Sequence, residues 1–269
     1  MVKCQAVLDA LERIAPKRLA EEWDNPGLLV GSPAQNVARI LVALDVTDAV
    51  IHHAIEQEAD MIVAHHPLIF KPLKKIRTDL PLGRRIQMLL KHDIAVAAAH
   101  TNLDIAKGGV NDVLAEAIGL TKLARFVLTE QREDGTAESL GRIGSLPAPM
   151  EITDFAARVK EALPSACVRL VRAGARPVRK IAICSGSGAE YIGKAAFLGA
   201  DVYVTGDVRY HDAQQAIEQG MHVIDAGHFG TEFPVVEPLA KRLAEELQMA
   251  KGNVEILCDH ISHDVFSVV

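Results

Sequence analysis

Aromatic residues are scarce in this chain: seven Phe, three Tyr and one Trp among 269 residues. So few argue against a platform that stacks single-stranded nucleic acid. Positive charge is also short. Lys and Arg number 29 against 35 Asp and Glu, a net charge of −6. That balance argues against general affinity for nucleic acid or for an anionic membrane. No apolar run approaches the 18 or more residues of a membrane span, so no membrane partner is expected. Cysteine is sparse and scattered. Cys4, Cys167, Cys184 and Cys258 make neither a CxxC pair nor a dense framework, and free thiols in a reducing cytosol are the simplest reading. The opening stretch MVKCQAVLDALERIAP is broken by charge and has no long apolar centre. It reads as an amphipathic helix and not a signal peptide, and a cytoplasmic location is expected.

What is present is a balanced globular composition, 49% apolar and 24% charged, and eleven histidines, as many as the aromatics. The length fits one large domain or two smaller ones. Continuous apolar runs, as in strands buried on both faces, occur at 39–45, 60–64 and 94–99. Helices are expected from Thr47 as N-cap to about Glu58, over 81–92 with Pro81 in the first turn, and over 109–118. The C-terminal part repeats this rhythm. Strands are expected at 180–184, 201–205 and 222–226, and helices from the SGSG turn to about Leu198, over 208–219 and over 231–248. Such alternation predicts parallel βαβ units and an α/β fold. Between them, 126–177 has another texture, with Gly and Pro clustered at its edges and a helix over 151–163. The expected organisation is a first α/β lobe at 1–125, a small α+β insertion at 126–177 and a second α/β lobe at 178–269. An internal echo supports two related lobes. ADMIVAHH (59–66) resembles ADVYVTGD (200–207), and IAVAAAHTNLD (94–104) resembles HVIDAGHFGTE (222–232), in the same order.

Three segments past expected strands carry chemistry. His65 and His66 precede Pro67. Neighbouring residues leaving a strand point to opposite faces, so both reach one site only if the chain turns there. One capping and one structural histidine explain the pair equally well. His100 and Asp104 follow the next strand, and a turn built on Asn102 and Asp104 accounts for that segment alone. His228 and Glu232 share a helix face if a helix begins by about Gly227, while an acidic first helical turn is the plainer account. Together the three are harder to dismiss, because ligands bind beyond the carboxyl ends of strands in open parallel sheets. Histidine and carboxylate without cysteine suit Zn, Mn, Fe or Ni. Six donors are more than one open tetrahedral ion uses, so two ions bridged by a carboxylate are expected.

Weaker signals accompany these. Asp207 and His211 lie past the strand 201–205, as partners that orient ligand histidines or as a helix cap and a surface residue. SGSG at 185–188 lacks the P-loop lysine and the dinucleotide spacing, and a tight turn accounts for it better than a phosphate cradle. KPLKKIR (71–77) is locally basic and close to the histidine pair. Arg169, Arg172, Arg176 and Arg179 line the insertion edge. His52, His53, His92 and His222 read as surface or packing residues, and His260 and His263 carry no assigned role.

At this point the sequence resembles the NIF-three-like proteins, also called GTP cyclohydrolase 1 type 2 homologues, in their compact form without the large inserted domain. The matching segments are WDNPGLLVG (23–31), AHHPLIF (64–70), AAHTNLD (98–104), GRIG (141–144), SGSG (185–188), GDVRYHDA (206–213) and GHFGTE (227–232). The resemblance implies two α/β lobes joined by a smaller segment, a toroidal homohexamer, and dinuclear metal sites facing an inner cavity. Carried over by position, His65, His66, Asp104, His228 and Glu232 are the metal ligands. Glu232 bridges two divalent ions per subunit, His66 and Asp104 hold one, and His65 and His228 the other. Phe229 stands where the family usually has Tyr, and the ending CDHISHDVFSVV departs from the usual short tail. The function expected on this basis is metal-assisted hydrolysis of a purine nucleotide, as in GTP cyclohydrolase chemistry, or of a related phosphoester. His100 or His211 would be the general acid or base. The alternative is a non-enzymatic metal-binding ring that recruits a protein or nucleic-acid partner.

Overall fold

The computed structural model describes residues 1–131, 137–249 and 253–269. Part of the expected insertion, 132–136, lies outside the described residues. In chain order the first elements are β1 (Val2–Lys3), α1 (Cys4–Ile14), β2 (Gly27–Val30), β3 (Asn36–Val37), β4 (Arg39–Ala43), α2 (Asp48–Glu56), β5 (Met61–Ala64), α3 (Pro81–Lys91), β6 (Ala95–Ala98) and α4 (Thr101–Ile105). Then come α5 (Val110–Ala117), β7 (Thr121–Gln131), β8 (Ala137–Met150), α6 (Ile152–Ala162), β9 (Arg169–Val171), β10 (Val178–Ser187), α7 (Ile192–Phe197), β11 (Val202–Gly206), α8 (Tyr210–Glu218), β12 (His222–Asp225) and α9 (His228–Glu232). The chain closes with α10 (Val236–Met249) and β13 (Glu255–Cys258).

These elements form a mixed α/β fold in two compact units. The first combines Met1–Ala106 with Val236–Ser262, and the second combines Lys107–Val235 with His263–Val269. The first unit holds a five-stranded sheet in the order β13-β4-β5-β6-β2. Strands β13, β4, β5 and β6 are parallel, and β2 is antiparallel to β6. Every residue of β5 and β6 is buried, which is why these strands read as unbroken apolar runs. One face packs Leu41, Ile62 and Val96 under Val50, Ile51 and Ala54 of α2 and Leu89 of α3. Thr47 caps α2 as expected, its hydroxyl accepting from the Val50 amide at 3.1 Å.

The second unit holds a six-stranded sheet, β7-β8-β10-β11-β12-β9. Its centre, β10-β11-β12, is parallel, while β7, β8 and β9 join antiparallel. One face packs Ile181, Ile183, Val202, Val204 and Ile224 against α5 and α6. The other buries Ala182, Cys184, Tyr203 and Val223 with Phe126 and with Ile192 and Ala195 of α7.

Three differences from the sequence reading have physical causes. The stretch 126–177 is not a separate body: β7 and β8 form a hairpin whose second strand pairs with β10. The boundary at 178 therefore cuts through one sheet. The C-terminal α10 and β13 belong to the first unit, because β13 pairs in parallel with β4, Glu255 opposite Arg39. Finally, the helix expected over 231–248 is broken. Pro234 sits in a 3-10 turn, Phe233–Val235, between α9 and α10, as expected of a residue with no amide hydrogen to continue the ladder.

Candidate metal-binding residues

The register of the first sheet explains its histidines. Ala43, Ala64 and Ala98 stand side by side on β4, β5 and β6. Two positions beyond that row come Asp45, His66 and His100. His65 is one position beyond it, where the chain bends, so the adjacent pair does not diverge: the His65 and His66 rings lie 4.9 Å apart. The His100 ring is 5.3 Å from His65 and 5.6 Å from His66. Nitrogens of all three lie within 4.8 Å of one another, close enough to hold a metal ion. Asp104 is buried in α4, its Oδ1 3.7 Å from His65 Nε2.

Each of these rings is oriented from behind. His65 Nδ1 donates to the Ala99 carbonyl at 2.9 Å, His66 Nδ1 to Asp45 Oδ1 at 2.9 Å, and His100 Nδ1 to Asp24 Oδ1 at 2.8 Å. A carbonyl or carboxylate oxygen can only accept, so the proton sits on Nδ1. In the neutral ring the lone pair is then on Nε2, the arrangement seen behind metal-ligating histidines.

The second unit carries a corresponding set past β11 and β12. Gly227, at φ +77°, starts α9, and the helix places His228 Nε2 3.0 Å from Glu232 Oε2. His228 Nδ1 donates to Asp207 Oδ2 at 2.8 Å. Asp207 itself has φ +55°, an uncommon conformation for a residue with a side chain and one that gathers at functional sites. Two glycines make room. A Cβ at Gly206 would lie 2.8 Å from the Gly227 and His228 backbone, and one at Gly186 would strike Glu232 Oε1 and come 3.3 Å from His228 Nε2. The SGSG segment, expected as a turn, instead runs along the end of β10 with an irregular register and is committed to this space; its Gly186 amide donates to Thr231 Oγ1 at 2.9 Å.

The other expected residues are placed as follows. His211 is exposed on α8, bonded to Gln214 Oε1 at 3.0 Å. His222 is buried and accepts from the Ala173 amide at 3.1 Å, while His260 and His263 are exposed. Arg169 pairs with Asp225 and is tied to the fold. Sequence reasoning passed over Asp24 and Asp45. The available signal was position: Asp45 follows the end of β4, and Asp24 precedes β2, whose Gly27 pairs with Ala98 at the end of β6.

Asp24 gives this site a pH signature. Burial would raise its carboxyl, but hydrogen bonds from His100 and Thr101 outweigh burial and hold it at about 2, below the ordinary 3.8. A folded-state value below the unfolded one means the fold favours the ionised form. The resulting stability is whole above about pH 4 and is lost as pH falls toward 2, on the order of 2 kcal/mol at one unit per 1.36 kcal/mol. The stability gap between wild type and Asp24→Asn, read by urea unfolding, should therefore close as the pH drops through that window. A gap independent of pH would contradict this account.

Comparison with known proteins finds relatives along the whole chain. Residues 2–264 match the family described as Duf34/NIF3 (NGG1p interacting factor 3). The chain is 37% identical to a Clostridium perfringens protein named GTP cyclohydrolase 1 type 2 homolog, over all of both chains. Among solved structures it is similar to a Bacillus cereus protein related to NIF3, with a TM-score of 0.93 at 32% identity over 99% of each chain. A Staphylococcus aureus hypothetical protein gives 0.93 at 31%, over 100% of this chain and 99% of the other.

Proposed function

The chain belongs to the Duf34/NIF3 family, and on that premise we propose that it is a metal-dependent hydrolase. Its substrate would be a purine nucleotide or a related phosphoester. The ligands assigned are His65, His66, Asp104, His228 and Glu232, with two divalent ions per chain drawn from Zn, Mn, Fe or Ni. A homohexameric ring is part of the same proposal. One observation carries it: His65, His66 and His228, at the ends of strands, each have Nδ1 oriented by a fixed acceptor, so that Nε2 is the nitrogen that would meet an ion. Imidazole and carboxylate without thiolate is a donor set suited to hydrolytic metals.

Ions in such a site supply Lewis acidity and a nucleophile activated at neutral pH. The rest falls to the chain itself. His100 is assigned as the proton carrier. Asp24 fixes its ring and, staying ionised to about pH 2, supports the imidazolium that forms when Nε2 takes a proton. Asp45 and Asp207 hold His66 and His228 at fixed rotation, so binding costs little reordering. His211, on an exposed face beside Gln214, is the lesser candidate for proton transfer.

Elemental analysis after reconstitution should find about two ions per chain. One ion or none overturns the dinuclear reading. Metal-loaded protein assayed against nucleotides and phosphoesters should turn over at least one class. Full metal occupancy with no turnover of any would favour the recruiting ring instead.

A further inference from the structure

Beside His100 lie two aromatic rings that the hydrolytic reading does not use. Trp23, the only tryptophan of the chain, is 58% exposed, and Phe70 is 45% exposed. Their ring centroids are 5.8 Å apart, and those of Trp23 and Phe70 lie 6.0 and 6.3 Å from that of His100. Leaving large aromatic surface in water is unfavourable, yet this frame holds both rings outward. The Asn25 side chain donates to the Ile69 carbonyl at 2.6 Å and so ties the two segments together. On the other side of Trp23, the Glu21 amide donates to Thr101 Oγ1 and the Asp24 amide to the Glu21 carbonyl, each at 3.0 Å. The backbone around Trp23 and just before Phe70 is therefore held in place, which limits the ordering a ligand must bring about.

We propose that Trp23 forms a stacking face for a planar nitrogen heterocycle, a purine base, next to the histidine cluster, with Phe70, tilted 58° from the Trp23 plane, against the edge of that base. The inference rests on the nucleotide reading of the same site and specifies how the base is held. The exposed basic run that begins at Lys71 follows Phe70 directly, so an anionic phosphate chain on the nucleoside meets positive charge there. Aromatic–base stacking is worth roughly a tenfold change in affinity or more per base. Trp23 and Phe70 are positioning residues: they would set substrate affinity and leave the chemical step alone.

Tryptophan fluorescence of the full chain comes from Trp23 alone, which makes the test direct. Guanosine, GTP and inorganic triphosphate are titrated in turn into metal-loaded protein. Saturable quenching by guanosine and GTP, with none by triphosphate, is the expected result. In Phe70→Ala the same titration should give a Kd about tenfold weaker. In Trp23→Ala, followed by equilibrium dialysis and kinetics, KM should rise by about tenfold at unchanged kcat, and Trp23→Phe should restore most of the loss. No saturable quenching by either guanine compound, or equal affinity in Phe70→Ala and wild type, overturns the stacking face. Quenching by triphosphate alone does the same. The two readings fail separately. Metal-dependent turnover without quenching removes only the stacking face, and quenching without turnover removes only the hydrolase.

Discussion

Replacing Glu232 by alanine is expected to cost about a hundredfold or more in turnover and to leave the chain short of its metal. Losing a group that merely orients a ligand typically costs 10–100-fold, and Glu232 is assigned as a ligand itself. Its side chain is 5% exposed and 3.0 Å from His228 Nε2, so no solvent-borne group replaces it easily. The effect should also appear without any substrate. An ion that binds only the folded chain adds about 4 kcal/mol at a thousandfold excess over Kd, roughly a 10 °C rise in Tm for a chain of this length. Calorimetry with and without metal should show that rise in wild type and little of it in Glu232→Ala. Asp104→Ala, which removes the buried carboxylate beside His65, should behave alike. Turnover at the wild-type level in both variants would falsify the metal-hydrolase reading.

The second large effect is expected at Gly186, where function and stability fail together. Alanine there meets two penalties. The backbone is left-handed, φ +61°, which costs a non-glycine residue about 1–2 kcal/mol. The new methyl would also drive into the Glu232 carboxylate. Gly220 separates the two, because it has φ +68° and a Cβ there would meet no atom of the described residues within 4 Å. Gly220→Ala should lower Tm by a few degrees, at about 2–4 °C per kcal/mol, and keep its metal. Gly186→Ala should lose more stability and also most metal binding, read by isothermal titration of the apo protein. If the two variants melt alike and bind metal alike, the methyl is not reaching the carboxylate.

The parts of this fold that could be read from sequence are those whose burial is uniform. Strands β4, β5 and β6 have apolar side chains on both faces, and their runs stand out from composition alone. Strands β2 and β13 did not. Each is four residues long at a sheet edge, and β13 is defined by pairing with β4, far away in the chain. The hairpin β7–β8 was masked by glycines. Gly141 takes φ +68° inside β8, and a Cβ at Gly144 would lie 2.8 Å from Leu123. Here glycine marks close approach within a strand and not a loop.

The candidate site divides in the same way. His65, His66, His100, Asp104, His228 and Glu232 could be singled out because histidine and acid recur just past apolar runs. Asp24 and Asp45 could not. Asp24 stands 76 residues from the histidine it orients, and only the antiparallel pairing of β2 with β6 brings them together. Local patterns predict which side chains stand at a strand end. They do not predict which distant carboxylate turns the ring.

The pairing of β13 with β4 also governs how the protein must be made. Arg39 and Glu255 are 216 positions apart. A ribosome adding about 5–20 residues per second exposes β4 some tens of seconds before β13 exists. Throughout that interval the nascent first sheet presents an open strand edge, the kind of surface on which unfinished chains pair with one another. A strand made long after β4 is the one that closes this edge of the five-stranded sheet.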